Sequence, residues 1–293
     1  MRYLLIALIA AILLLPLAGC REKATVLNVI TFNIRYDNPA DGINAWPNRI
    51  GLVEEYLQEE SPDIVGFQEA LHHQVLELER MMPGYARVGT GRDDGLEGGE
   101  YSPIFFKQEV FELLKNGQFW LSETPDVPGS IGPGAVLPRI ATWAHLRIRS
   151  TGKELFVFNT HYSHVSDEAR WLSARIMSER MQHIAGNKPL IVAGDFNLDI
   201  ENETYQRLAD LFYKENQLIN ATENETTYTL LQQGTFNGFG YVDNQPFIDF
   251  IFVSPHFQII SSSIDRIKSG DIFISDHWPV TAKLKMELKA RRQ

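Results

Sequence analysis

The chain has 293 residues, of which 44% are hydrophobic, 11% aromatic and 22% charged, and it carries a single cysteine. That apolar content excludes a disordered chain, and one cysteine excludes a disulfide scaffold. Lys plus Arg number 27 against 37 Asp plus Glu, and the net charge of −10 leaves no basic field for gripping long nucleic acid, although a few local arginines suffice for one phosphate.

In chain order, the first segment reads as an address. Arg2 precedes the apolar run Tyr3–Leu17, short for a membrane-spanning helix of roughly 20 residues. A basic start, a short apolar core and small residues at the cut describe a secretory signal. Leu17-Ala18-Gly19-Cys20 resembles the bacterial lipobox, in which the cysteine is lipidated and becomes the new N-terminus. The expected division is a signal peptide over 1–19, a lipidated N-terminus and short tether over 20–24, and one domain over 25–288. The expected location is therefore outside the inner membrane, on the periplasmic side or the cell surface, with the domain tethered close to the bilayer.

Beyond Cys20, β-rich runs predict strands at Val26–Phe32, Ile64–Phe67, Ile104–Phe106, Ala141–Ile148, Leu155–Phe158, Leu190–Ala193, Phe247–Val253 and Val280–Leu284. Helical spacing appears over Trp46–Glu60, and again over Asp167–Ile184, with Ser166 as its cap. His72 and His73 precede a further helical run and read as solvent-facing. The Gly- and Pro-rich stretch Thr124–Pro138 reads as a loop. Strands interleaved with helices make an α/β protein. Five of these segments end in residues that a core would not select: Asn33, Gln68-Glu69, Asn159-Thr160-His161, Asp195-Phe196-Asn197 and Ser275-Asp276-His277.

Open α/β sheets present ligand-binding side chains at strand ends. Carboxylate and amide oxygens gathered there suit a hard divalent cation such as Mg²⁺ or Mn²⁺. The chain has no His-Glu-x-x-His, no P-loop and no Gly-x-Ser-x-Gly elbow. Carboxylates, asparagines and histidines without a side-chain nucleophile fit metal-assisted attack of water on a phosphoester.

The ordered series Thr-Phe-Asn33-Ile-Arg, Gly-Phe-Gln-Glu69, Asn159-Thr-His161, Gly-Asp195-Phe-Asn197, Ile-Asp249-Phe-Ile-Phe and Ser-Asp276-His277 resembles the endonuclease/exonuclease/phosphatase superfamily over residues 26–284. Gly-Glu100-Tyr-Ser-Pro-Ile-Phe-Phe, Leu-Pro-Arg139 and Thr-Phe-Asn-Gly-Phe239 look most like bacterial members related to its deadenylase-like branch. The resemblance implies a four-layer α/β sandwich, two packed mixed β-sheets flanked by helices, and makes 25–288 the catalytic domain. It implies Glu69 as principal metal ligand, with Asn33 beside it and Asp276 contributing directly or through water. Asp195 would orient or deprotonate the attacking water, and Asn197 would hold phosphate or water. His277 would contact the phosphate or act as the acid–base group, with Asp249 fixing its tautomer and favouring its charged form. His161 would donate near the scissile phosphate, oriented by Glu100. Arg139 would clamp a phosphate oxygen, and His164 and Asn159 complete the substrate set. Three departures, Ile131-Gly-Pro-Gly-Ala, Ser163 and Asn237, fall on the substrate side.

The expected activity is divalent-metal-dependent phosphoester hydrolysis, of phosphodiesterase or nuclease type and acting from a 3′ end. A phosphomonoesterase, a sphingomyelinase or an inositol-phosphate phosphatase acting on small exported substrates stays open, as does a catalytically silent lipid-anchored binding protein. The implied partners are a phosphoester substrate (nucleic acid, nucleotide, phospholipid headgroup or phosphosugar) and a membrane reached through the lipid. Composition gives no sign of an obligate protein partner, so a monomer is expected.

Overall fold

The first strand, β1 (Thr25–Asn33), is buried continuously from Val29 onward, as a strand covered on both faces must be. The structure is a computed structural model that describes residues 25–222, 234–242 and 244–286; the expected signal peptide, Cys20 and the tether lie outside the described residues. After β1, helix α1 (Trp46–Glu60) opens with Pro47 in its first turn and stops at Ser61, whose left-handed backbone cannot continue it. It returns the chain so that β2 (Ile64–Gln68) runs parallel to β1, with Asn33 opposite Gln68. Helix α2 (His72–Met81), β3 (Tyr85–Val88) and β4 (Ile104–Lys107) follow.

The second half repeats the device. Strands β5 (Phe111–Trp120), β6 (Ile140–Ile148) and β7 (Glu154–His161) form a meander. Helix α3 (Asp167–Ala185), capped by Ser166 Oγ accepting from the Ala169 N–H at 3.2 Å, then carries the chain to β8 (Leu190–Asp195), parallel to β7. Helix α4 (Glu203–Asn216), β9 (Ile219–Asn220), β10 (Asp249–Val253), β11 (Phe257–Ile264), the small hairpin β12 (Lys268–Ser269)/β13 (Ile272–Phe273) and β14 (Val280–Met286) complete the described chain.

Two mixed six-stranded sheets result, ordered β11-β14-β1-β2-β4-β3 and β5-β6-β7-β8-β10-β9. Strands β1 and β2 lie against β7, β8 and β10, and the buried core lies between the sheets and under the helices. The α/β sandwich is the expected one. Strand β10 begins two residues later than expected, at Asp249. Strands β3, β5, β9 and β11, absent from the sequence reading, are the edge strands of the two sheets, with largely polar or half-exposed faces. No helix among the described residues is long and apolar enough to cross a membrane.

Topology fixes where chemistry gathers. The carboxyl ends of β1, β2, β7 and β8 point to one end of the sandwich. Strands β14 and β10 run antiparallel to β1 and β8, so their leading residues arrive at the same end, with Asp249 directly opposite Asp195.

Candidate active site

At that end a pocket of ≈ 730 Å³ opens, lined among others by Glu69, Glu100, Arg139, His161, His164, Asp195, Asn197, Asp276 and His277. Asn33 lies at its floor, fully buried. The Asn33 amide nitrogen donates to Glu69 Oε1 at 3.1 Å and to Asp195 Oδ2 at 2.9 Å, and lies 3.4 Å from His277 Nε2. Its oxygen accepts the Arg35 N–H at 3.0 Å. In this arrangement Asn33 joins the carboxylates of the two sheets through its amide nitrogen.

Glu69 follows β2 with φ of +63°, a left-handed conformation that costs a non-glycine residue roughly 1–2 kcal/mol. Its neighbour Ala70 is tied to Tyr101, whose N–H donates to the Ala70 carbonyl at 2.8 Å, so the turn also brings Glu100 to the pocket. The Tyr36 N–H donates to Glu69 Oε2 at 3.2 Å. Asn197 is likewise left-handed, at +49°. Its N–H donates to Asp195 Oδ1 at 2.9 Å and its side-chain amide to the Tyr162 carbonyl at 3.2 Å.

His277 and Asp249 form a pair that crosses from one sheet to the other. His277 Nδ1 lies 2.8 Å from Asp249 Oδ2, and Nε2 lies 3.7 Å from Asp195 Oδ2. Burial alone would depress the imidazole, but Asp249 and Asp195 outweigh it and raise its pKa to about 10. It is therefore an imidazolium at neutral pH. Burial and the Asp249 charge push Asp195 up to about 7. His161 shows the opposite balance. Burial and the cations Arg139 and Arg92 hold it well below the usual range, so it is neutral, with Nε2 3.4 Å from Asp195 Oδ2.

Glu100 stands 3.8 Å from His161 Nδ1, but its closer partner is Arg92, whose two terminal nitrogens lie at 2.5 and 2.9 Å. Burial and Glu69 push Glu100 up to about 7 against the pull of Arg92. Burial likewise raises Asp276, to about 6. Asn237, one of the departures, clips the Asp276 segment: its N–H donates to the Asp276 carbonyl at 2.7 Å and its amide to the Ser275 carbonyl at 3.1 Å.

Arg139 is only 5% exposed, and its Nε and Nη1 have no partner, while Nη2 lies 3.0 Å from His164 Nδ1. Burial and Arg92 hold the guanidinium below its usual range against the pull of Glu100, Asp195 and Glu69, and burial and Arg139 hold His164 below its own. Arg139 lines the pocket, and a buried guanidinium with unpaired N–H groups is a planar fork suited to an anion. Asn159 is not brought to the pocket wall. Its amide sits one layer below, donating to the Phe67 and Pro103 carbonyls at 2.7 and 2.9 Å and accepting from Gln68 Nε2 at 2.7 Å. It fastens the two sheets, over a Gly66 at which any Cβ would come within 2.7 Å of its side chain. Arg170 on α3 holds the Ser163 carbonyl and Asp167.

Sequence reasoning missed three arginines. Arg35 faces Glu69 and Asp276; Arg92 binds Glu100. Arg49 on α1 is fully buried and donates to the carbonyls of Asn44, Ile34, Arg35 and Ile274, its pKa lowered to about 10 by burial. The donor set suits a divalent cation: Glu69, His161 and Asp195 each offer one atom within 4.8 Å of one another. The raised carboxylates record crowding of negative charge that a cation would relieve.

Two mixed sheets meeting at a carboxylate- and histidine-lined pocket define a class of α/β-sandwich proteins with their site at the carboxyl ends of the central strands. The Endonuclease/Exonuclease/phosphatase family model matches residues 30–277, and the chain belongs to that family. A solved endonuclease/exonuclease/phosphatase from Bacteroides vulgatus is 36% identical, covers 90% of this chain and all of its own, and superposes with a TM-score of 0.81. A mannosyl-6-phosphatase of Bacteroides thetaiotaomicron is 35% identical, covering 88% of this chain and 99% of its own, with a TM-score of 0.77. The human Nocturnin catalytic domain, solved with bound sulfate, shares the fold at 20% identity and a TM-score of 0.71, covering 90% of this chain and 97% of its own.

Proposed function

We propose that the protein is a divalent-cation-assisted phosphoester hydrolase using water as the nucleophile. The observation that carries this reading is one pocket holding both a crowded carboxylate floor and the buried, half-unpaired guanidinium of Arg139. Asp195, near neutrality in its pKa, takes the proton of the attacking water while Asn33 and the Asn197 N–H hold its carboxylate in place. The His277 imidazolium, kept charged by Asp249, donates to a phosphoryl oxygen as negative charge grows there. Arg139 clamps a peripheral oxygen pair, and neutral His161 supplies a further donor. Glu69 and Asp276 would hold Mg²⁺ or Mn²⁺, which when bound supplies Lewis-acid stabilisation of phosphoryl oxygen charge. Since Asp195, His277, Asp249 and Glu69 are all present and mutually oriented, a silent binding protein is disfavoured.

Within that class, small soluble monoesters are favoured over polymers. Among the described residues, the only arginines lining the pocket are Arg35 and Arg139; Leu137, Asp199, Phe236, Pro246 and Ile248 also line it and form no basic track for a strand. The 35%-identical mannosyl-6-phosphatase points the same way. With the lipid proposed at Cys20, the tether enters at Thr25, and the length of β1, about 26 Å at a rise of about 3.3 Å per residue, separates that point from Asn33. The pocket then opens away from the supporting bilayer, which favours dissolved phosphosugars or nucleotides over lipid headgroups. The purified chain, with Mg²⁺ or Mn²⁺ and then with EDTA, is to be tested on p-nitrophenyl phosphate, its bis ester, hexose phosphates, mononucleotides, RNA, DNA and sphingomyelin vesicles. Cation-dependent hydrolysis, fastest on soluble monoesters, is expected. Faster cleavage of RNA or DNA would restore the nuclease reading, and no hydrolysis anywhere in the panel would refute both.

A further inference from the structure

The end of the sandwich opposite the pocket has a face that α1 does not reach. On the outer side of the first sheet, the row Ile30–Thr281–Ser263 is covered by that helix: the Tyr56 hydroxyl lies 3.2 Å from Thr281 Oγ1 and donates to Asp265 Oδ2 at 2.8 Å. Two rows nearer the base, Asn28–Lys283–Ser261 and Val26–Lys285–Gln258, lie beyond it. Lys283, Ser261 and Gln258 are exposed there, Val26 is 50% exposed, and so is Ile260 at the bulge of β11. Leu27, Val29 and Leu284 alternate with them along the same strands and are fully buried, so the register sets the uncovered side chains on one outer face.

Thr25 pairs with Met286, so the segments before and after the described sheet start side by side at this face. Their sequences hold Arg21 and Lys23 on one side and Lys289, Arg291 and Arg292 on the other, against Glu22 and Glu287. Lys283 and Lys285 add to that charge. The acids adjoining them are Glu59 and Glu60, at the end of α1, and Asp63, which accepts from the Asn28 N–H at 2.8 Å and lies 3.6 Å from Lys107. Cations therefore outnumber acids around this one face of a chain whose net charge is −10. Residues 20–24 span at most about 18 Å when fully extended, so an acyl group on Cys20 keeps the face within reach of a bilayer. We propose that this face is a second membrane contact, in which Lys283, Lys285 and the flanking basic residues bind anionic phospholipid headgroups while Val26 and Ile260 meet the headgroup boundary. One acyl anchor and one basic patch reinforce each other, and together they hold the pocket toward solvent. This rests on the proposed acylation of Cys20 and is independent of which phosphoester is cleaved.

The test uses the mature, acylated chain, in which the sole cysteine is blocked by its lipid, so that Gln258→Cys supplies one free thiol for a nitroxide spin label. Ser261→Cys serves if Gln258→Cys does not fold, and Ile131→Cys, exposed in the loop between β5 and β6, is the control. The protein is placed in vesicles of phosphatidylcholine alone, or of phosphatidylcholine and phosphatidylglycerol in equal parts. Accessibility of the label to a water-soluble nickel chelate is read by electron paramagnetic resonance. In the anionic vesicles the Gln258 label should lose accessibility severalfold relative to the neutral ones, and should regain it at about 1 M salt, where charge acts over only about 3 Å. The pair Lys283→Gln and Lys285→Gln should remove about half of that difference or more, and the Ile131 label should stay accessible throughout. Equal accessibility in the two kinds of vesicle, or an undiminished difference in the double variant, would overturn the proposal while leaving the anchor in place. Shielding already complete in neutral vesicles would assign the face to another part of the chain or to a second copy, and would overturn it too. A mass spectrum without an acyl group on Cys20 would overturn the anchor and this contact together, with the hydrolase reading untouched.

Discussion

The two parallel strand pairs are built alike and used differently. In the first sheet, β1 ends in Asn33 and β2 is followed by Glu69; Glu69 and Arg35 are fixed in left-handed turns, and Arg49 holds the Ile34 and Arg35 carbonyls from behind. In the second, β7 and β8 end in His161 and Asp195, where burial and neighbouring charge move the titrating groups from their ordinary pKa values. One edge is organised to hold charge, the other to move a proton. The His277–Asp249 pair spans them, His277 arriving before β14 and Asp249 at the start of β10. A central parallel pair in each sheet is what lets one fold place both functions within hydrogen-bond reach.

Removing the proton-moving edge should have the largest effect. Asp195→Asn should lower kcat by about 10³-fold or more while the thermal midpoint changes little, because the new amide oxygen still accepts from Asn33. Activity within a few-fold of wild type would break the assignment. On the charge-holding edge, Glu69→Gln should weaken Mn²⁺ affinity by roughly 10–100-fold, the scale seen for perturbed metal sites, and added Mn²⁺ should partly restore turnover. Unchanged affinity in a direct titration would move the cation elsewhere.

Arg139→Lys keeps the charge but loses the fork, so kcat/KM for monoesters should fall by about tenfold or more, with stability changed less. The spanning pair gives a smaller, pH-dependent signal. His277 has a folded pKa raised above its unfolded value, so the pair's stabilisation is complete below about 6.5 and lost as pH rises through about 10. The gap in thermal midpoint between wild type and Asp249→Asn should therefore be widest near pH 6 and narrow toward pH 10. A gap that widens with rising pH would contradict a charged His277. Asn159→Ala should leave the chemistry of the folded fraction nearly unchanged but cost about 2–4 kcal/mol, since it strands three buried partners on the facing sheet. A loss of kcat without a loss of stability would return Asn159 to the pocket.

Much of the site is legible because polar residues ending apolar strands have few structural reasons to be there: Glu69, Asp195, Asp249, Asp276 and His277 all meet as their motifs imply. Asn159 carries the same signature for a different reason, since a polar residue between two sheets is equally out of place in a core and is satisfied by crossing it. The arginines carry no such mark. Nothing in Asn33-Ile34-Arg35 says that a left-handed turn folds the guanidinium back onto Asp41, and Arg49 looks like a solvent-facing helix residue until four carbonyls from three other segments converge on it. Strands β5 and β11 were hidden because edge strands expose part of their faces and lose the apolar run by which β1 and β8 are read.

The central claim is that water, activated at Asp195, attacks phosphorus in this pocket. Hydrolysis of a sugar monophosphate in H₂¹⁸O with Mn²⁺ tests it directly. One ¹⁸O per released phosphate and none in the alcohol, with the product lost in Asp195→Asn, is the predicted result; label in the alcohol, or equal incorporation by Asp195→Asn, would contradict it.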